Sequence, residues 1–329
     1  MFKVTVIPDS FLEFYPILIY MIIGVPLEVI TLPNKSPTLT KIVNIIAEER
    51  DKQILSEVIG SLRNYIAKLK QKLFVAVDVV GVTFIRRMWQ TIEYSRNALN
   101  VNPNAEKDQL AVCETLLITL IENNIGTIDD ELQTVLSFVL VQLKASMENA
   151  RLRLINLEVV VMCFFYNAGI TLQLLDSQKY TESVLTVLLQ NAYLFKTDFE
   201  KQRLMLGLIR LLGVIEVVGT ATTAARFAQP IIKYLVELAV EIVKMRMEDG
   251  KSESECSEAE EDNSHIFSAA NQHHGSKEQE DEDGEVEWED EFNKLYSSPL
   301  EQEDEVLCLR NFLQGSGSPY VTLLSVQEQ

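Results

Sequence analysis

Seven side chains in one short stretch have the types and spacing for binding chemistry: Glu285, Glu287, Trp288, Glu289, Asp290, Glu291 and Phe292, within EQEDEDGEVEWEDEF at residues 278–292. Carboxylates at this density neutralise lysine and arginine side chains. Exposed ion pairs, however, are screened beyond about 8 Å at physiological salt and contribute only about 0–1 kcal/mol each. An indole among them adds a second attraction. Its π face accepts a cation for about 0.5–1 kcal/mol when exposed and about 2 kcal/mol when desolvated, so Trp288 and its flanking acids suit the basic side chains of a partner protein. Val286 and Phe292 offer apolar surface, either to the aliphatic stems of those side chains or to the folded body of this chain.

Other chemistries have fewer carriers. The three histidines, His265, His273 and His274, all fall in the same acidic region. The rest of the chain therefore has no imidazole for Ser-His-Asp or Cys-His nucleophilic catalysis, or for histidine general-base work. There is no glycine-rich phosphate loop and no paired-cysteine zinc spacing. Cys256, His265 and His273 are separated by eight and seven residues, which matches no common metal site. Paired carboxylates in a flexible run lack the rigid pocket that acid–base catalysis needs. The expectation is a chain with no catalytic residue, no metal and no cofactor. Ser252 with Glu255, and Ser257 with Glu260, match the acid placement of acidophilic kinases. They are candidate phosphosites, each adding about −1.5 to −2 charges when modified.

Charge location narrows the partner class. The chain has 329 residues and a formal charge of −19. Residues 248–305 hold 22 Asp or Glu and 3 Lys, which accounts for all of it. The remainder has 26 acids (48 less 22) and 26 bases (29 less 3). Phosphate binding wants a basic face, so a balanced body argues against nucleic acid as its partner. With 47% apolar residues the chain is long and apolar enough to bury a sizeable core. Cys113, Cys163, Cys256 and Cys308 are far apart and read as free thiols in a reducing compartment. FLEFYPILIYMIIGV, residues 11–25, is apolar but carries Glu13 and Pro16 and is shorter than the roughly 20 residues of a membrane span. It reads as a buried segment, with no membrane partner and no signal-peptide frame.

Helices must position whatever the chain binds. In ILSEVIGSLRNYIAKLKQKL, residues 54–73, Ile54, Leu55, Val58, Ile59, Leu62, Ile66, Leu69 and Leu73 recur at three and four, the spacing of one helical stripe. The same period runs through residues 110–121, 132–143, 152–165 and 231–245. Ser36-Pro37, Asn102-Pro103 and Gln229-Pro230 place proline where a first turn tolerates it, and Asn124 with Gly126 supplies a stop. Antiparallel pairs are expected over 38–73, 78–124, 128–167, 170–213 and 223–248, each about 40 residues, the period of HEAT or armadillo-like hairpins. The fold expected is therefore an all-α solenoid of HEAT-like helix pairs, with a plain helical bundle as the alternative. The division expected is 1–37 as an apolar amino-terminal segment, 38–248 as helical repeats, 249–303 as an acidic disordered segment and 304–329 as a short helix and tail. Few large apolar residues and dense like charge give 249–303 too little to bury. In EDEVLCLRNFL, residues 303–313, Val306, Leu309, Phe312 and Leu313 regain helical spacing that could dock on the body.

The order of these features resembles the carboxy-terminal part of the importin-β (karyopherin-β) superfamily, nearest its importin seven and importin eight branch. The resemblance spans roughly residues 40–315. It rests on LRLINLEVVVMCFFYNAG (152–169), LFKTDFEKQRLMLGLIRLL (194–212), the acidic run with Trp288, and EDEVLCLRNFLQG (303–315). Matching positions are Tyr166, Asn167, Arg203, Gly207, Trp288 and Asp304 to Phe312. Ala168-Gly169 follows Asn167 where that branch usually has proline. The resemblance implies a nuclear transport receptor that shuttles between cytoplasm and nucleus. It further implies that the acidic loop holds basic cargo such as ribosomal proteins or histones, and that nucleoporins are partners. Ran GTPase would be a partner only through amino-terminal repeats outside this chain. An acidic chaperone of basic proteins, or a HEAT-repeat scaffold without transport activity, are the alternatives that the same residues leave open.

Overall fold

Asn149, Ser298 and Asp304 are cap residues whose side chains accept from the first backbone donors of the elements they start. The computed structural model describes residues 107–145, 149–218, 222–257 and 298–315, with single positions between Ile59 and Lys70 and between Ile85 and Trp89. Among the described residues the chain is all-helical, with no strand. The helices are α1 (Lys107–Asn123), α2 (Asp129–Ala145), α3 (Ala150–Ser177), α4 (Thr181–Gln190), α5 (Asp198–Val218), α6 (Ala228–Ser257) and α7 (Glu305–Gln314). Short 3-10 turns occupy Ala192–Leu194, Thr223–Phe227 and Pro299–Gln302. The stop expected at Asn124 and Gly126 is present: Gly126 takes φ +78°, the left-handed region that favours glycine. Asp129, Asp130 and Glu131 then fill the first turn of α2, where negative charge faces the positive end of the helix dipole.

The 28-residue α3 is the centre of the molecule. Asn149 caps it, its Oδ1 accepting from the Leu152 N–H at 2.8 Å. Apolar side chains cover almost every side, which is the pattern of a buried helix. Length and composition alone would let it cross a membrane, yet 83% of its most apolar window is buried inside the protein. Asn167 interrupts it with extended backbone at φ −158° and ψ 92°, on the boundary expected between the pairs 128–167 and 170–213. Two bonds absorb the break. Asn167 Oδ1 accepts from the Ile170 N–H at 3.1 Å, restarting the helix, and Thr171 Oγ1 donates to the Cys163 carbonyl at 2.8 Å. Just before the kink, the Tyr166 hydroxyl accepts from the Ile128 N–H at 2.9 Å and donates to Asp129 Oδ1 at 2.6 Å, fixing the start of α2 to α3.

Packing follows a rule of alternate helices. α3 lies against α1 on one side and α5 on the other, and α5 in turn lies against α7, so every second helix joins one row. α2 and α4 touch α3, and α6 touches α5, from outside that row. A single apolar core runs through all of them, from Ile59 to Leu309. α3 and α5 approach closely: a Cβ at Gly207 would lie 2.5 Å from both Cγ1 and the carbonyl oxygen of Val161. Earlier in the chain, Trp89 packs edge-on to Phe138 of α2, with ring centroids 6.0 Å apart.

The boundary expected at 248 lies inside a helix, since α6 runs through to Ser257. Adding a residue to an existing helix gains one backbone bond per residue fixed, and the lysine and glutamates beyond 248 are good helix formers. Ser252 and Ser257 therefore sit in its last turns. At the other end, residues 298–303, expected within the disordered segment, form a capped turn. Residues 1–58 and the expectations placed on them lie outside the described residues.

Candidate functional site

Four buried polar side chains on the row of alternate helices form the site that holds the carboxy-terminal segment. Glu122 ends α1, Glu158 lies mid-way along the first half of α3, and Gln202 and Arg203 sit in the first turns of α5; all four are under 10% exposed. Arg203 donates from Nη1 to Glu158 Oε1 at 3.1 Å, and its Nε lies 3.6 Å from Glu122 Oε2. One guanidinium thus joins three neighbouring helices. A buried ion pair is no guarantee of extra stability, because desolvation offsets attraction. It does fix one arrangement, because removing a partner leaves a charge uncompensated. The formal charge of the three is −1.

The segment 298–315 closes over this group. Ser298 is 4% exposed, and its hydroxyl donates to Glu122 Oε2 at 2.9 Å while accepting from the Leu300 N–H at 3.2 Å. Glu301 returns the favour, its Oε1 accepting from the Ser298 N–H at 2.9 Å, which completes a capping box around Pro299. Beside Arg203, the Gln202 amide donates from Nε2 to the carbonyls of Leu300 at 3.0 Å and Glu303 at 2.9 Å, with Glu305 Oε2 at 3.4 Å. Glu305 is buried at 1% exposure and is answered by Arg246 of α6, Nη2 to Oε1 at 2.6 Å. Leu300 and Leu309 enter the core, with Val306, Phe312 and Leu313 packed against it. Asp304 caps α7 by accepting from the Leu307 N–H at 2.9 Å. The docking that the apolar spacing of 303–313 suggested is therefore present.

Among the described side chains, the Cys163 and Cys308 thiols and the Tyr166 phenol are held toward their protonated forms. Burial pushes the Cys163 thiol far up, and burial followed by the Glu303 charge raises that of Cys308. Tyr166 is pushed up to about 12, chiefly by burial and then by its hydrogen bond to Asp129, so it stays a neutral donor. Glu114, on α1 two turns before Glu122, is fully buried, and neither of its carboxylate oxygens has a partner. Burial raises its pKa well above the usual carboxylate range.

The candidate binding residues Glu285, Glu287, Trp288, Glu289, Asp290, Glu291 and Phe292 lie outside the described residues. The described elements nearest them in sequence are α6, which ends at Ser257, and the turn Pro299–Gln302 capped by Ser298. Those 40 intervening residues carry 14 Asp or Glu and 2 Lys. Both flanking elements pack on α5. Sequence reasoning missed Gln202, Glu122, Glu158 and Ser298. The chain matches no protein-family model, and no curated protein or solved structure is significantly similar to it.

Proposed function

We propose that this chain is a non-enzymatic holder of basic proteins, acting as the cargo-binding, carboxy-terminal region of an importin-β-like nuclear transport receptor. The observation that carries this reading is the docking of 298–314. It ties both ends of a run bearing 14 acids to one helical body, making a loop out of what the composition alone reads as a tail. A loop attached at both ends stays close to the surface that bears it and loses less freedom on engaging a partner than a free tail does. Polyanionic character draws lysine- and arginine-rich segments at long range and without one required geometry. The row of alternate helices supports the finer fold reading, a solenoid of antiparallel pairs, because stacked hairpins place every second helix against the next. Tyr166, Asn167, Arg203 and Gly207, which carry the family resemblance, all stand at joints between helices.

Binding of a lysine-rich peptide to the full chain, followed by fluorescence anisotropy between 50 and 300 mM salt, tests the reading. Trp288→Ala should weaken binding several-fold with the salt slope unchanged, because no charge is removed. Glu287→Gln, Glu289→Gln, Asp290→Asn and Glu291→Gln together should flatten that slope. Binding that is indifferent to both sets across the range would make the segment a spacer. Release of the peptide by GTP-loaded Ran from a longer product that carries amino-terminal repeats would favour the transport reading over an acidic chaperone.

A further inference from the structure

We infer that Ser298 is a phosphorylation site for a proline-directed kinase, and that a phosphate there releases the carboxy-terminal segment from the helical body. The inference does not depend on what the acidic loop binds. Ser298-Pro299 has the residue pair that such kinases read, and Ser298, the first described residue of the segment, touches the body directly.

Docked, the hydroxyl has no room to be modified. It is 4% exposed, donates to Glu122 Oε2 at 2.9 Å, and sits in a group whose Arg203 is already shared by Glu122 and Glu158. Modification therefore occurs on the open segment. The segment is held by the buried Leu300 and Leu309, by Val306, Phe312 and Leu313 packed against the core, by the Gln202 amide and by Arg246, whose side chain is half-exposed. Such an element can leave without unfolding the rest. On opening, Ser298 Oγ attacks the γ-phosphorus of a kinase-bound nucleoside triphosphate. The Oγ–P bond forms, the β,γ-anhydride bond breaks, the diphosphate leaves, and the hydroxyl proton passes to the kinase base.

Reclosure is then opposed twice. Phosphate removes the donor that Glu122 requires and presents about −1.5 to −2 charges to a carboxylate at hydrogen-bond distance, in a group already bearing a net −1. A phosphate at an N-cap can favour a helix, but the turn it would cap is only the four residues Pro299–Gln302. Repulsion from Glu122 decides the sign.

The test uses the full chain with a proline-directed kinase and ATP, phosphate mapped by mass spectrometry, and trypsin cleavage after Arg310 as the measure of undocking. Leu300→Ala, which removes an apolar anchor on the segment alone, should raise the rate of Ser298 modification about tenfold or more; Arg246→Gln, at a half-exposed position, should raise it less. Phosphorylated wild type should be cut after Arg310 about tenfold faster than unmodified protein, and Ser298→Ala should lose the phosphate on that peptide. Failure to modify Ser298 in both loosened variants would overturn the assignment. So would stoichiometric phosphate at Ser298 with cleavage after Arg310 unchanged.

Discussion

Replacing Glu114 with methionine is expected to stabilise this chain at pH 8 and to do much less at pH 5. The side chain is 0% exposed, neither oxygen has a hydrogen-bond partner, and burial holds its pKa well above the usual range. The folded chain therefore holds the proton to higher pH than the unfolded chain, which gives it up above about pH 4.3. Folding takes up one proton across that window. Because the folded pKa is the raised one, the favourable contribution is complete below the unfolded value and is lost as pH rises toward the folded value. One proton corresponds to a slope of up to about 1.4 kcal/mol per pH unit. Methionine removes that slope and the buried polar atoms with it. Glu114→Gln removes the slope but keeps an unsatisfied amide, at about 1–3 kcal/mol. Urea unfolding followed by far-UV circular dichroism at pH 5, 6, 7 and 8 gives the stability difference between each variant and wild type. The methionine difference should grow by about 1 kcal/mol or more from pH 5 to 7. A difference that stays constant across the four pH values would refute the reasoning, because it would require an ionised carboxylate with a buried partner.

Two further outcomes concern the joints of the row. Arg203→Met leaves Glu122 and Glu158 buried without their cation and should cost about 3–5 kcal/mol in the same urea assay, with the loss reduced when Glu158→Gln is added. Gly207→Ala drives a methyl to 2.5 Å from the Val161 carbonyl oxygen, so α3 and α5 must part. A net loss of about 1–2 kcal/mol is expected despite the better helix propensity of alanine, and a stabilised variant would show that the crossing can give.

Periodicity made the helices legible, because three- and four-residue spacing is a local property of each segment. The break at Asn167 could be placed within a few residues from the end of the apolar run through Phe165. The joints were harder to read. Glu122 and Glu158 look like solvated positions in a linear reading, since nothing nearby in sequence announces a guanidinium 81 or 45 residues away. Ser298 was taken into the acidic stretch by its neighbours' charge, when its burial depends on Glu122, 176 residues earlier. Conversely, the change in composition at Met247 drew a boundary that the backbone ignores, because a helix once formed extends through lysine and glutamate with little regard for what it packs against.

Gln202 and Leu300 are 98 residues apart, so the face of α5 is covered by a segment made well after it. At about 5–20 residues per second, a ribosome leaves that face open for roughly 5–20 s after α5 emerges. The contact is strongly non-local and adds to the loop-closure entropy that slows folding. Until α7 arrives, Gln202 and the apolar side of α5 form a vacant docking edge that a second nascent copy can fill with its own 298–314. The same geometry that ties the acidic loop down makes domain exchange the characteristic failure of this chain at high synthesis rates.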